Sequence, residues 1–377
     1  PPRAVMNALP TARFGRLPLL LAACAAAIPT AACAGHRGFL AVPGEHAFYQ
    51  TAFPTWDTSA TLRRTFESVR RIQISATYDT YTFARERAPT EGELGSPDLL
   101  RGAMDTTSLS QERAATAVVL SRSAGNVALL TANHALELPD TIVRFFGQEG
   151  GLVGAPTAPG GSRLVESVSI KRHQTNWVVG ESLETFEILA RDSVRDLALI
   201  GVREPVELPR PGPIAGARLE EQPRRTPVLA LPAGDSDRLS WGSFVYVLGY
   251  PKGYPMVTRG IVSAPERRPL GSFLVDGLWN RGMSGGLILA VRGDGRGLEW
   301  VGIARGASST SEARLVPDEG AEPRGNVRQP YDGQIFLEEY RSIDYGITLS
   351  VPIADIRRFL AERRTALGQQ GYVLPRI

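Results

Sequence analysis

Cysteine is almost missing from this sequence. Its 377 residues include two, Cys24 and Cys33, and none from Ala34 onward. That excludes a disulfide framework, a cysteine nucleophile and thiolate metal sites in the body of the chain, so stability there rests on packing. Lysine is equally scarce, at Lys171 and Lys252 only. The formal net charge is +3 and no block of like charges stands out, so a nucleic-acid partner is not expected. Histidine occurs four times, at positions 36, 46, 134 and 173. No H-E-x-x-H or zinc-like spacing exists among them, so neither a metal nor any other cofactor is expected. No run after the N-terminal region is long and apolar enough to span a membrane.

The first 34 residues have the pattern of an export signal. Arg13 and Arg16 precede an apolar stretch from Leu17 to Ile28, and Ala32-Cys33-Ala34 is a small-residue cleavage site. Leu21-Ala22-Ala23-Cys24 also fits a lipobox, and Thr30-Ala31-Ala32-Cys33 is a weaker version. Two outcomes stay open: cleavage near Ala34, or a lipid anchor at Cys24 or Cys33. Both place the mature chain outside the cytoplasm, in a bacterial envelope, periplasm or medium.

Beyond position 110 the chain is a series of short apolar runs of strand length. Examples are Thr116–Leu120, Val127–Leu130, Leu197–Val202, Phe244–Leu248, Leu287–Val291, Trp300–Ile303 and Ile347–Val351. Helical periodicity is missing between them, which disfavours alternating β/α folds and favours a barrel or sandwich. Gly293–Gly297 reads as a hairpin turn. Earlier, Thr61 to Val69 fits a helix, Arg71 to Ala76 alternates as a half-buried strand does, and Glu91 to Gln111 reads as a loop. Gly147–Gly161, Arg203–Arg225 and Ser308–Asp344 read as surface insertions, long enough to need local structure or a binding role. Ile353, Ile356, Leu360 and Leu367 share one face of a helix from about Pro352 to Leu367, with Gly368 as its terminator.

The densest chemical signal is Gly282-Met283-Ser284-Gly285-Gly286. It satisfies G-x-S-x-G, the nucleophile elbow of α/β-hydrolases, but in that fold the histidine follows the serine, and no histidine follows Ser284. The order His134, Asp196, Ser284 fits another arrangement, in which histidine comes first and serine last. His173, within Lys171-Arg172-His173, reads as a solvated residue.

The local contexts resemble trypsin-like serine proteases. Leu129-Leu130-Thr131-Ala132-Asn133-His134-Ala135 resembles their histidine segment, and Arg195-Asp196-Leu197-Ala198-Leu199-Ile200 resembles the segment opening on their aspartate. The similarity is greatest to the HtrA/Deg branch. Leu248-Gly249-Tyr250-Pro251-Lys252-Gly253 with Val257–Ser263 resembles its hairpin, Asn280–Gly286 its serine loop, Trp300–Ile303 the next strand, and Ile347–Leu360 the closing strand and helix. The likeness runs from about Thr116 to Leu360 with gaps.

The resemblance implies an all-β fold, a trypsin-like double six-stranded β-barrel with a C-terminal α-helix. It implies a division into residues 1–34 as signal peptide, 35–110 as N-terminal extension and first strand, 111–368 as protease domain and 369–377 as tail. A PDZ module, common in that branch, is not expected, because little chain follows the helix. The implied activity is a serine endopeptidase acting on proteins or peptides through His134, Asp196 and Ser284, with the backbone N–H groups of Gly282 and Ser284 as oxyanion hole. Assembly as a homo-oligomer is a further property of that branch. The alternative is a catalytically silent trypsin-like fold that binds proteins.

Two departures accompany the resemblance. Met283 precedes the nucleophile where digestive relatives have an activating aspartate, so activation by an ion pair with a cut N-terminus is not expected. Leu278, six residues before Ser284, and Arg305, just past the strand that usually lines the specificity pocket, are the implied specificity residues. The first would favour an aliphatic side chain before the cut, the second an acidic one.

Overall fold

The structure is a computed structural model, and it describes residues 48–146, 163–180, 183–204, 227–265, 272–295, 297–317 and 335–377. The export segment, Cys24 and Cys33 lie outside the described residues, as do nearly all of the expected insertions at 147–161 and 203–225.

Seven strands build the first half: β1 (Val69–Thr82), β2 (Asp105–Ser123), β3 (Asn126–Ala132), β4 (Thr141–Phe145), β5 (Val165–Val179), β6 (Leu183–Asp192) and β7 (Leu197–Arg203). Six of them close a ring in the order β1-β2-β3-β7-β6-β5, because β5 pairs antiparallel with β1. β4 lies on the same edge of β5 as β6, against Val165–Ile170. The second half is a closed barrel of β8 (Phe244–Gly249), β9 (Met256–Ala264), β10 (Phe273–Val275), β11 (Leu287–Val291), β12 (Leu298–Pro317) and β13 (Ile335–Pro352), in the order β10-β13-β12-β11-β8-β9. The fold is therefore the expected pair of six-stranded antiparallel barrels.

The unbroken apolar runs have a geometric cause. In β3, Val127 and Leu129 point into the first barrel, whereas Ala128 and Leu130 join a separate cluster at the seam between the barrels. β7 divides in the same way: Ala198 and Ile200 face inward, and Leu197 and Leu199 face the seam. In β11, Ile288 and Ala290 fill the second barrel while Leu287, Leu289 and Val291 face the seam. A strand buried on both faces loses the polar positions of an alternating pattern. Trp300 of β12 is 1% exposed in the seam cluster and donates its indole N–H to the Gly302 carbonyl at 2.9 Å. Trp300→Ala is expected to cost about 3–5 kcal/mol of folding stability, read as a lower denaturation midpoint in guanidinium.

Helix α2 (Ile353–Gln369) covers the seam with Ile353, Ile356, Phe359, Leu360 and Leu367. The expected terminator, Gly368, stays inside this helix. Gly371 ends it at φ +87°, with its N–H on the Gly368 carbonyl and the Tyr372 N–H on that of Leu367. This is the Schellman arrangement, which needs a residue tolerant of the left-handed region.

Three further expectations are corrected. Helix α1 spans Ser59–Phe66, and Val69 begins β1 instead of ending the helix. The segment read as a loop to Gln111 contains single-turn helices up to Gly102 and then enters β2 at Asp105. A boundary at residue 111 therefore cuts through β2, whose polar outer end obscured it, while Arg71–Ala76, read as a half-buried strand, lies in β1. The segment around Ser308–Asp344 prolongs β12 and β13 into an antiparallel ribbon, paired out to Pro317 and Ile335. No helix among the described residues is long and apolar enough to cross a membrane.

Candidate active site

His134, Asp196 and Ser284 each sit where a seam strand begins or ends. β3 runs into a single-turn helix, Asn133–Leu136, that carries His134. Asp196 is the last residue before β7, and Ser284 lies three residues before β11. Because β3 and β7 pair with Ala132 opposite Leu197, the histidine turn and the aspartate are neighbours.

Asp196 holds the histidine at two points. One carboxylate oxygen, Oδ1, accepts the His134 backbone N–H at 2.8 Å, and Oδ2 lies 2.8 Å from His134 Nδ1. The Asn133 N–H reaches the Asp196 carbonyl at 3.1 Å. Asp196 adopts φ +58°, a left-handed conformation that short polar side chains tolerate better than most. It is 5% exposed. On the other side of the ring, His134 Nε2 lies 3.0 Å from Ser284 Oγ. Arg113 of β2 fastens the turn from below, donating to the carbonyls of His134 at 2.7 Å and Glu137 at 2.6 Å. Arg195 anchors the aspartate turn to Asp192 and, through two 2.9 Å bonds, to Glu362 of α2. That guanidinium holds the Glu362 carboxyl below its ordinary value.

The serine turn is held mainly by Thr116 of β2. Its N–H donates to the Ser284 carbonyl at 2.8 Å and its hydroxyl to the Gly282 carbonyl at 2.7 Å, while the Tyr250 N–H donates to that hydroxyl at 2.9 Å. Lys252 N–H binds the Arg281 carbonyl at 2.7 Å, and Gly285 and Ala304 complete the attachment to β12. Gly282 has φ +99°. Among the described residues the N–H groups of Gly282 and Ser284 have no acceptor. No group of three or more His, Cys, Asp or Glu side chains among the described residues is arranged to hold a metal ion.

Residues 115–302, which span all three of these positions, match the family model of the trypsin-like peptidase domain. The chain carries a trypsin-like peptidase domain. Two solved structures of an HtrA-type protease, one with a decapeptide and one with a tripeptide, are each 16% identical to it, with TM-scores of 0.39 and 0.37. They cover 84% and 81% of this chain, which in turn covers 68% and 63% of theirs. A serine endoprotease from Yersinia pestis is 15% identical, with a TM-score of 0.39, covering 82% of this chain and 67% of its own. The chain thus spans about two thirds of the length of these structures. No curated protein sequence matches it.

The peptidase domain treats the expected specificity residues differently from one another. Leu278 is 64% exposed, so it is no buried pocket floor, and it is the neighbouring Trp279 that packs into the second barrel. Arg305 is not a free charge awaiting an acidic substrate: its Nε donates to Asp196 Oδ2 at 3.2 Å. Met283 is 1% exposed within the second barrel core. An apolar plug thus anchors the serine turn. Thr116 escaped sequence reading because it lies inside an apolar run and looks like one more β-branched strand residue.

A Cβ on Gly282 would collide with the Tyr250 carbonyl oxygen, and its positive φ adds strain. Gly282→Ala is therefore expected to displace the turn that carries Ser284 and lower kcat for peptide cleavage by about 10²–10³-fold, with KM little changed. Steady-state kinetics on a peptide substrate reads this directly.

Proposed function

We propose that the chain is a serine endopeptidase that cleaves proteins or peptides through an acyl-enzyme. The observation that carries this reading is the continuous hydrogen-bonded series Asp196–His134–Ser284, at 2.8 and 3.0 Å. A serine hydroxyl is a weak nucleophile until an adjacent base accepts its proton. In the proposed first step Ser284 Oγ bonds to the scissile carbonyl carbon while its proton moves to His134 Nε2. Asp196 stabilises the resulting imidazolium and holds the ring so that Nδ1 is the protonated nitrogen. The negative charge on the former carbonyl oxygen is met by the N–H groups of Gly282 and Ser284. The C–N bond then breaks, His134 gives its proton to the leaving amine, and water attacks the acyl-enzyme by the same route in reverse.

The reading extends to location. An apolar stretch, Leu17 to Ile28, preceded by Arg13 and Arg16, supports export of the mature enzyme, either freed or anchored by lipid at Cys24 or Cys33. Its substrates would then be proteins of the envelope or its surroundings.

The test is incubation of the purified protein with an unfolded protein such as casein, followed by mass spectrometry. Internal fragments are expected, and none with Ser284→Ala. Folded protein that binds casein and leaves it uncut would replace this reading with that of a binding module.

A further inference from the structure

We propose that Arg305 is a positioning residue for the Asp196–His134 pair. Three observations point to it. The guanidinium Nε donates to Oδ2 of Asp196, the same oxygen that faces His134 Nδ1. Both partners are sheltered, with side chains 18% and 7% exposed. And the register of β12 against β13 shifts between Ala304 and Gly306, so Arg305 sits in a β-bulge. Ile303 joins the seam cluster and Ala304 the core of the second barrel, so Arg305, next in β12, falls on the seam side, where Asp196 lies.

The bulge is tied to the serine turn as well. Ala304, next to Arg305, exchanges backbone bonds with Gly285 and Gly286 at 2.7 Å each. Arg305 therefore joins the strand that supports Ser284 to the carboxylate that orients His134, and fixes all three elements together. An arginine carries its charge at every working pH. Its bond to Oδ2 is therefore charge-assisted, and it holds that oxygen where it meets His134 Nδ1.

The other charges around the pair already have partners. From β2, Arg113 is bonded to the His134 and Glu137 carbonyls. From β6, Arg191 reaches Asn133 and Glu137, which is bonded to Asn133 within the histidine turn. Beside β7, Arg195 is engaged by Asp192 and Glu362. Among the described residues only Arg305 adds a charge directly to the Asp196 carboxylate.

The consequence for rate rests on the serine-peptidase reading, but the test does not. Protein labelled with ¹⁵N-histidine and carrying Ser284→Ala is observed by NMR at one fixed pH, alone and with Arg305→Met or Arg305→Gln added. The His134 Nδ1–H proton, which faces Asp196 Oδ2, is expected to exchange with solvent several-fold faster in either folded variant, while the ring signals of His173 stay in place. An unchanged or slower exchange of the His134 Nδ1–H overturns the proposal. No turnover is needed, so failure of casein cleavage by the unmodified enzyme sinks the peptidase reading and leaves this measurement to stand or fall by itself.

Discussion

Ser284→Ala is expected to lower kcat/KM for peptide cleavage by about 10⁴–10⁶-fold without altering the thermal unfolding curve by more than a degree or two. The size follows from the loss of covalent chemistry: removing one member of a hydrogen-bonded triad typically forfeits almost the whole contribution of the triad, and what remains comes from the oxyanion donors and binding. The fold is spared because the supports of the turn do not use the hydroxyl. Thr116 binds the Ser284 and Gly282 carbonyls, Met283 fills the second barrel, and Gly285 bonds to Ala304. A loss below tenfold, measured on protein free of contaminating protease, would mean that Ser284 is not the nucleophile.

Asp196→Asn is expected to do comparable harm, about 10⁴-fold in kcat, with a stability cost as well. At Oδ1 the carboxylate accepts the backbone N–H of His134, and at Oδ2 it meets Arg305 Nε and His134 Nδ1. The first two of these donors cannot become acceptors. Whichever way the introduced amide turns, its NH₂ confronts a permanent N–H at a site 5% exposed. A donor left facing a donor there costs about 1–3 kcal/mol. Wherever the NH₂ lies beside Nδ1, the imidazole must take the tautomer that cannot accept the serine proton. Kinetics and denaturant unfolding read the two effects separately. An Asp196→Asn enzyme within tenfold of the original would remove Asp196 from the proposed machinery.

The parts of the fold legible in the sequence were those where burial is extreme. β3, β7 and β11 are apolar on both faces because they lie at the seam, and the three chemical residues occur at their ends. That combination of strand, turn and order singled out His134, Asp196 and Ser284, which the structure brings within hydrogen-bonding distance of one another. What escaped reading lies where burial is partial or contacts are distant. The first half of β2 has mixed polarity because its outer end projects beyond the barrel core, so it resembled a loop. Thr116 is defined by the backbone it bonds to, 166 residues away at Gly282. Arg305 looked like a specificity determinant because its partner, Asp196, lies 109 residues earlier, and a strand pattern does not reveal so distant a contact. Leu278 was placed by counting back from Ser284, and counting does not tell exposure.

The central claim is that Ser284 is made nucleophilic by His134 and Asp196, and labelling with a fluorophosphonate tests it most directly. The account predicts a single covalent adduct, located on Ser284 by peptide mass mapping. Folded protein that takes up no label, or takes it up at another residue, would contradict it.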